Sequence, residues 1–524
     1  MSLLPFLVVT AGGAVLVLLL RRVERLASAV GIVALLAAVV AATRIRPDEV
    51  LAVGGDGLAT TAFLGLFLLL GAACGAVLAI VGAATDTRRD ASAVTLGLLA
   101  TSGLALALPD ARLAVLAATA GGVAGALLAI GPASGRAGAT VGIRVLRATA
   151  VAGTMGIAAS AWIGRDLTEL AAQPVVFGLA YLAMALAVAI RSGAIPFHAW
   201  AARLTDSVPE ATLPLLTAWA PAAFAVVALA WADQSIAPLL VDVGPARPVV
   251  IAIALSSILL GTLAALIQDD IEHVVGYSII GDAGVILLAV AVLDPAAWEP
   301  ARTYVLVFVV ARSAFAAWAA AARATFGTGR VAELRGWMLR SPALALAFAV
   351  IVVATIGLPG VAVYEARATV VGLALGGIVE RVVLVGVLGP VLYYGRLVLV
   401  GVQRPRSGER GVVLGTRVSV TPVDLAALRP WLARTWDANR PVTATGGTLL
   451  LAVIALVLAL GGLGGPAAAA GQPPSLEGAT ESFDPNQPPE PPASGDPGEP
   501  TVQPTVQPTL VPTDGPSFEP IPTP

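Results

Sequence analysis

The chain has 524 residues, of which 57% are hydrophobic and 12% charged. Its mean hydropathy is +0.88, whereas a soluble domain carries roughly 25% charged residues, so a water-soluble globular class is excluded. The formal net charge is −2, yet the cations comprise thirty-one arginines and not one lysine; no nucleic-acid partner is expected from so segregated a set.

About 20 consecutive apolar residues cross the hydrocarbon of a bilayer as a helix. Runs of this kind predict fourteen spans, at 3–20, 26–43, 59–83, 92–108, 111–131, 147–164, 173–191 (continuing near 196–204), 209–231, 248–267, 274–293, 302–322, 342–378, 382–400 and 447–464. They lack the alternation that a membrane barrel needs. The expected fold class is an all-α polytopic membrane protein of about 14 transmembrane helices. Met1-Ser2-Leu3-Leu4-Pro5 has no basic run before its apolar stretch, so the first span is expected to be retained. Cys74 is the sole cysteine, and the two histidines have no metal-site spacing, so no disulfide, metal or iron–sulfur site is expected.

Two spans carry breaks. The seventh contains Gly193-Ala194-Ile195-Pro196, and the twelfth, too long for one straight crossing, contains Gly357-Leu358-Pro359-Gly360. Proline removes a backbone donor and glycine frees the chain, so Gly193, Pro196, Gly357, Pro359 and Gly360 are natural interruptions. Two interrupted helices in corresponding halves point to an ion or substrate path; simple proline kinks are the plainer alternative.

The loops suggest an orientation. With the N-terminus outside, Arg21, Arg22, Arg25, Arg88, Arg89, Arg136, Arg144, Arg147, Arg323, Arg330, Arg335, Arg340 and the arginines of 401–446 all face inward. Arg44 and Arg46 are exceptions. Both termini are then expected outside a cell inner (plasma) membrane. Residues 465–524 hold 17 of the 38 prolines, eight carboxylates and no arginine, which predicts a disordered acidic tail. An amphipathic stretch is expected at Val423–Trp436, with Trp431 and Trp436 as interfacial anchors. The expected organisation is N-terminal helices over 1–110, a core over 111–400, a basic loop at 401–446, a last span at 447–464 and the tail.

Arg191-Ser192-Gly193-Ala194-Ile195-Pro196-Phe197-His198-Ala199-Trp200, followed by Pro209, resembles the K-x-x-x-x-P-F-H-x-W…P signature of antiporter-like subunits. These are the L-, M- and N-type membrane subunits of respiratory complex I and the related Mrp cation/proton antiporters. Asp270-Ile271-Glu272-His273-Val274-Val275-Gly276-Tyr277-Ser278 with Gly284 is similar to D-x-K-R-x-x-A-Y-S…G. Glu333-Leu334-Arg335-Gly336-Trp337 with Pro342 resembles L-x-G-L…P, and Ile356 to Gly360 with Arg367 resembles G-x-P-P-x-x-G-F-x-x-K. The four stretches fall in order over roughly 110–400, nearest the N-type.

The resemblance implies two inverted five-helix repeats, each with one broken helix, and charged groups along the mid-membrane plane. It places Arg191 at the seventh-helix lysine, Arg312 at the lysine of the second repeat's relay helix, and Arg367 at the lysine after the second break. Pro221 falls at the eighth-helix lysine. The fifth-helix glutamate has no counterpart in 111–131, the nearest acid being Asp110. Glu272 replaces a motif lysine, and Asp282 stands where the family often has His or Gln. A buried lysine can release and regain a proton, whereas arginine effectively cannot. The arginines are thus fixed charges, each costing about 2.5–3.5 kcal/mol at bilayer depth, or side chains that snorkel to the interface. The titratable candidates beside them are Asp282, Glu365, Glu380 and His198, with structural hydrogen bonding as the alternative for His198. Glu365 and Arg367 are two apart and would not face each other on a regular helix. His273 is expected as a solvated loop residue.

By resemblance the chain is expected to move protons or monovalent cations beside other membrane subunits, in a lipid bilayer, with no cofactor or redox centre of its own. A non-conducting scaffold, and a membrane partner in ion or inorganic-carbon uptake, are the alternatives.

Overall fold

Hydrocarbon offers backbone groups no water, so each must bond within its own segment, and long Ala/Leu/Val runs become helices. The computed structural model describes residues 2–53, 56–85, 91–129, 135–162, 174–236, 243–404 and 430–471. The helices, in order, are α1 (Leu3–Leu19), α2 (Glu24–Ala42), α3 (Ala62–Ala84), α4 (Ala91–Ala107), α5 (Ala111–Ala129), α6 (Gly135–Trp162) and α7 (Pro174–Ser192). The short α8 (Ala199–Leu204) follows, then a π-helical turn at Leu215–Trp219 that runs into α9 (Ala220–Ser235). Next come α10 (Ala246–Ile267), α11 (Ile271–Val292), α12 (Trp298–Phe326), α13 (Trp337–Arg340), α14 (Pro342–Ile356) and α15 (Ala362–Ala374). The last are α16 (Gly377–Val387), α17 (Pro390–Val402), α18 (Pro430–Ala459) and α19 (Gly465–Ala470). Ten helical stretches among the described residues are long and apolar enough to cross a membrane; Leu3–Leu19, Ser92–Ala107, Ala111–Leu127 and Pro342–Ile356 are apolar but shorter.

Lipid tails are as apolar as leucine, so helices here associate through close packing and hydrogen bonds rather than through the hydrophobic effect. α10 and α11 meet backbone to backbone. A Cβ on Gly261 would stand 2.7 Å from the Gly281 nitrogen, and one on Gly284 2.5 Å from the Ala254 carbonyl oxygen. Leu259, Leu263 and Ile267 of α10 and Val382 and Val385 of α16 point outward. Leu215–Ser235 and Pro295–Phe326 each contain an eighteen-residue stretch that is buried throughout, as central helices of a large bundle should be. All described residues belong to one compact unit, Met1–Thr480.

Both expected breaks are present. α7 ends at Ser192, Gly193 adopts φ +67°, the Ile195–Pro196 bond is cis, and the chain resumes as α8. α14 ends at Ile356, Gly357 and Gly360 adopt φ of +65° and +87°, and α15 follows. These left-handed angles strain any residue with a Cβ, which is why glycine stands there.

The architecture is all-helical as expected, with one short antiparallel hairpin in the connection between α2 and α3, β1 (Val50–Val53) with β2 (Asp56–Ala59), Val50 opposite Ala59 and Leu51 opposite Leu58. Several finer expectations are corrected. Arg144 and Arg147 lie on α6 rather than in a loop, because that helix extends past its apolar stretch and arginine is a good helix former. The span expected at 382–400 falls within one stretch long enough to cross, Gly377–Val402, whose helix is interrupted at Leu388–Gly389 before Pro390, between α16 and α17. The last span begins earlier than 447, since α18 runs unbroken from Pro430 through Pro441. The residues 430–436 of the expected surface stretch are therefore the start of α18; 423–429 and the tail beyond 471 lie outside the described residues.

Candidate site at the two interrupted helices

The richest polar assembly lies inside the second half. Ser278 and Asp282 are four apart on α11, and Tyr304 and Arg312 are eight apart on α12, so each pair shares a helix face. Arg312 is fully buried, with 1% of its surface exposed. Its Nε donates to Asp282 Oδ2 at 2.5 Å, and Nη1 donates to Ser278 Oγ at 2.8 Å. Nη1 also reaches the Tyr394 hydroxyl at 3.3 Å, and Nη2 donates to the Tyr393 hydroxyl at 3.2 Å. The Tyr304 hydroxyl donates to Asp282 Oδ1 at 2.8 Å, so both carboxylate oxygens are engaged. Tyr394 also donates to Thr355 Oγ1 on the last turn of α14. An aromatic shelf fixes Tyr394, which packs edge-on against Phe315 at 5.2 Å and Phe348 at 5.6 Å. A buried ion pair persists only when its remaining donors and lone pairs are also met, and this one meets that condition.

Arg367 is buried and donates through Nη2 to the Ile356 carbonyl, the last of α14. A helix ends with unsatisfied carbonyls and partial negative charge, so a guanidinium there satisfies both. Glu365 does not pair with it. Glu365 is exposed, and its Oε1 accepts from the Gly360 N–H at 2.9 Å, holding the turn of the second break.

The first break is built differently. The Trp200 indole donates to the Ile190 carbonyl at 2.8 Å, doing for α7 what Arg367 does for α14. The Ile195 N–H donates to Ser257 Oγ on α10 at 2.9 Å. Arg191, 2% exposed, forms no ion pair or hydrogen bond among the described residues, and its Nε is buried without a partner. Its guanidinium leans on Gly122 of α5, where an added Cβ would stand 2.6 Å from Nη2. The Trp200 ring lies 6.0 Å from its carbon. Ser192 Oγ and His198 Nδ1 are likewise buried without partners.

A third polar group lines a cavity of about 580 Å³ between the α8–α9 connection, the start of α11 and the end of α12. Arg323 Nη1 donates to Glu210 Oε1 at 2.9 Å and also bonds Glu272. His273 Nε2 lies 3.0 Å from Asp206 Oδ1, so it is a partly buried member of this group rather than a solvated loop residue.

Of the residues singled out in the sequence, the structure therefore brings Arg312 and Asp282 together, with Arg367 beside the second break. It leaves Arg191, His198, Glu365 and Glu380 outside that network. Glu380, on α16, forms no ion pair among the described residues. Asp110 caps α5: its Oδ1 accepts from the Arg112 N–H at 2.7 Å, and the Arg112 guanidinium binds Oδ2 at 3.0 Å. Burial pushes the Asp110 carboxyl up, but these bonds outweigh it and hold it below the usual range. Tyr304, Tyr393 and Tyr394 were missed by sequence reasoning. The adjacent tyrosine pair inside an apolar span was the available signal, since a buried hydroxyl needs a partner. Glu210 was missed as well.

Residues 151–392 match the family model described as NADH:quinone oxidoreductase/Mrp antiporter, TM. An NADH-quinone oxidoreductase subunit N from Halorhodospira halophila is 31% identical over 207 residues, which is 38% of this chain and 40% of that one. The chain thus spans about two fifths of the length of the curated relatives it matches. A chain of the Mrp complex from Dietzia sp. superposes with a TM-score of 0.70 at 18% identity, over 92% of this chain and 53% of that one. A chain of respiratory complex I from Thermus thermophilus gives 0.62 at 19% identity, over 89% and 100%. Both breaks and the Arg312–Asp282 pair fall inside the matched stretch. The chain is thus similar, over residues 151–392, to the antiporter-like membrane subunits of NADH:quinone oxidoreductases and Mrp antiporters, and shares their fold.

Proposed function

We propose that this chain is a proton-translocating, antiporter-like subunit of an NADH:quinone oxidoreductase-type or Mrp-type assembly in a bacterial inner membrane, with both termini outside. The observation that carries the reading is the buried Arg312–Asp282 pair, bonded to Tyr304, Tyr393 and Tyr394 and set beside an interrupted helix. Because a guanidinium effectively never releases its proton, the exchangeable proton is assigned to Asp282. Arg312 is the counter-charge of the Asp282 carboxylate. If Arg312 shifts toward Tyr393 and Tyr394, the carboxylate loses its counter-charge, and a lone buried carboxylate takes up a proton rather than remain charged. Return of Arg312 expels that proton. Arg312 and Arg367 act as fixed charges, and the tyrosine hydroxyls guide the arginine between positions.

The test is proton movement by the assembled complex in reconstituted vesicles. Asp282→Asn is expected to abolish the share of pumping carried by this subunit while the complex still assembles. Arg191→Ala is expected to reduce it. Unchanged pumping in both variants would defeat the reading. One observation favours a second reading, a non-conducting scaffold: Arg191 faces Gly122 with no acid opposite it. That reading expects both variants to pump normally.

A further inference from the structure

We infer that the first helix break holds a small monovalent anion of the halide class, bound by the Arg191 guanidinium. The inference rests on charge balance alone and does not depend on the transport reading. Arg191 is 2% exposed, and a guanidinium cannot shed its charge by losing a proton. A buried charge persists only when it is paired or otherwise compensated. Every other buried arginine among the described residues has a compensating partner. Arg312 has Asp282. Arg302 has the Gly471 and Ala468 carbonyls and the faces of Phe63 and Trp298. Arg367 has the end of α14.

Arg191 has none of these. The Nε–H groups of Arg191, Arg302 and Arg367 are all buried without an acceptor, but Arg302 and Arg367 bond carbonyls through their terminal nitrogens, whereas no described carboxylate or carbonyl bonds Arg191. Its neighbours are Gly122, the Thr149 methyl facing that glycine, and the Trp200 ring at 6.0 Å. None is negative, and a ring at that distance is a weak counter-charge. Two further groups in the same break, Ser192 Oγ and His198 Nδ1, are also buried without partners. The guanidinium supplies hydrogen-bond donors and positive charge without an internal acid. One guanidinium calls for one negative charge, which selects a monoanion over sulfate or a phosphate dianion.

Gly122 makes the test sharp. The nearest atoms to a Cβ there are the far end of the Arg191 side chain at 2.6 Å and the Thr149 methyl at 2.9 Å, so Gly122→Asp, with Arg191 yielding, is designed to bring an internal carboxylate beside the guanidinium. The full assembly is purified in gluconate, and its thermal midpoint is followed as chloride replaces gluconate at constant ionic strength. The parent is expected to show a saturable rise on the order of 2 °C. Gly122→Asp should be insensitive to chloride, as should Arg191→Gln, which removes the charge and decides the matter if the aspartate variant does not assemble. Bromide in place of chloride should give an anomalous-scattering peak beside Arg191. A parent indifferent to chloride, an Arg191→Gln variant that keeps the full dependence, or saturating bromide with no peak at this position would each overturn the inference.

Discussion

Removing Asp282 alone would leave Arg312 fully buried with no ionic partner. Breaking a buried pair in this way typically costs about 3–5 kcal/mol, because the surviving charge stays desolvated. The structure indicates how much can be recovered. Ser278 Oγ, at 2.8 Å, remains a good acceptor, but the Tyr393 and Tyr394 hydroxyls, at 3.2 and 3.3 Å, are long. Tyr304 meanwhile loses its own acceptor. Asp282→Ala is therefore expected near the upper part of that range. Asp282→Asn keeps an oxygen for Arg312 and should cost about 2 kcal/mol, in line with the loss of one charge-assisted bond. Replacing both partners, Asp282→Ala with Arg312→Met, removes the stranded charge. The double variant should be more stable than the sum of the singles by about 2–3 kcal/mol. A double-mutant cycle of denaturation in mixed micelles measures this directly. Single variants within about 0.5 kcal/mol of the parent, or strictly additive effects, would refute the claim that this pair is one buried electrostatic unit.

Three further outcomes follow from single contacts. Arg367→Leu uncaps the Ile356 carbonyl and should cost about 1.5–3 kcal/mol, with faster amide exchange across 356–361; unchanged exchange there would show that the cap is unimportant. Arg302→Ala removes the bonds to the Gly471 and Ala468 carbonyls and the contacts with Phe63 and Trp298. Protease cleavage near Gly471 should then rise severalfold, while equal resistance would show that α19 is held elsewhere. Asp110→Ala removes the α5 cap and should cost about 1 kcal/mol. The bonded Asp110 carboxyl sits below its unfolded value, so its contribution is full at neutral pH and is lost as pH falls through the lowered folded value. A deficit of the alanine variant that persists undiminished in acid would contradict that assignment.

Much of the membrane architecture was legible because a bilayer enforces it: uninterrupted apolar runs must be helices. Both breaks were legible for a local reason, since positive φ and a missing N–H write themselves as glycine and proline. The Arg312–Asp282 pair was half legible. Each charge stood out in its apolar run, but their meeting depends on α11 packing against α12, which no spacing within either helix encodes. Glu365 shows the opposite failure. Its nearness to Arg367 in sequence suggested a partner, yet the helix turns it to the surface, where it holds the Gly360 N–H. The hairpin at Val50–Ala59 was hidden because its strands are four residues each and sit beside a much stronger helical signal. Glu210 was hidden in a loop, and its meaning came only when Arg323, over a hundred residues away, was found to join it to Glu272.

The two breaks also explain why arginine can stand at all three positions without serving the same end. At the second break the guanidinium follows the interruption and turns back on it, so its charge is spent on the end of α14. At the first break the cation precedes the interruption, the indole of Trp200 already holds the Ile190 carbonyl, and the guanidinium is left with nothing to cap. Between them, Arg312 alone meets a carboxylate. Of the three arginines, only Arg312 has a carboxylate beside it that can hold a transferable proton. If protons cross this chain, their storage must therefore be asymmetric: Asp282 in the second half, with the first half contributing fixed positive charge. Placing a carboxylate at Gly122 would make the halves alike, and proton movement by that variant, compared with the parent at saturating chloride, should change only if the first half lies on the path.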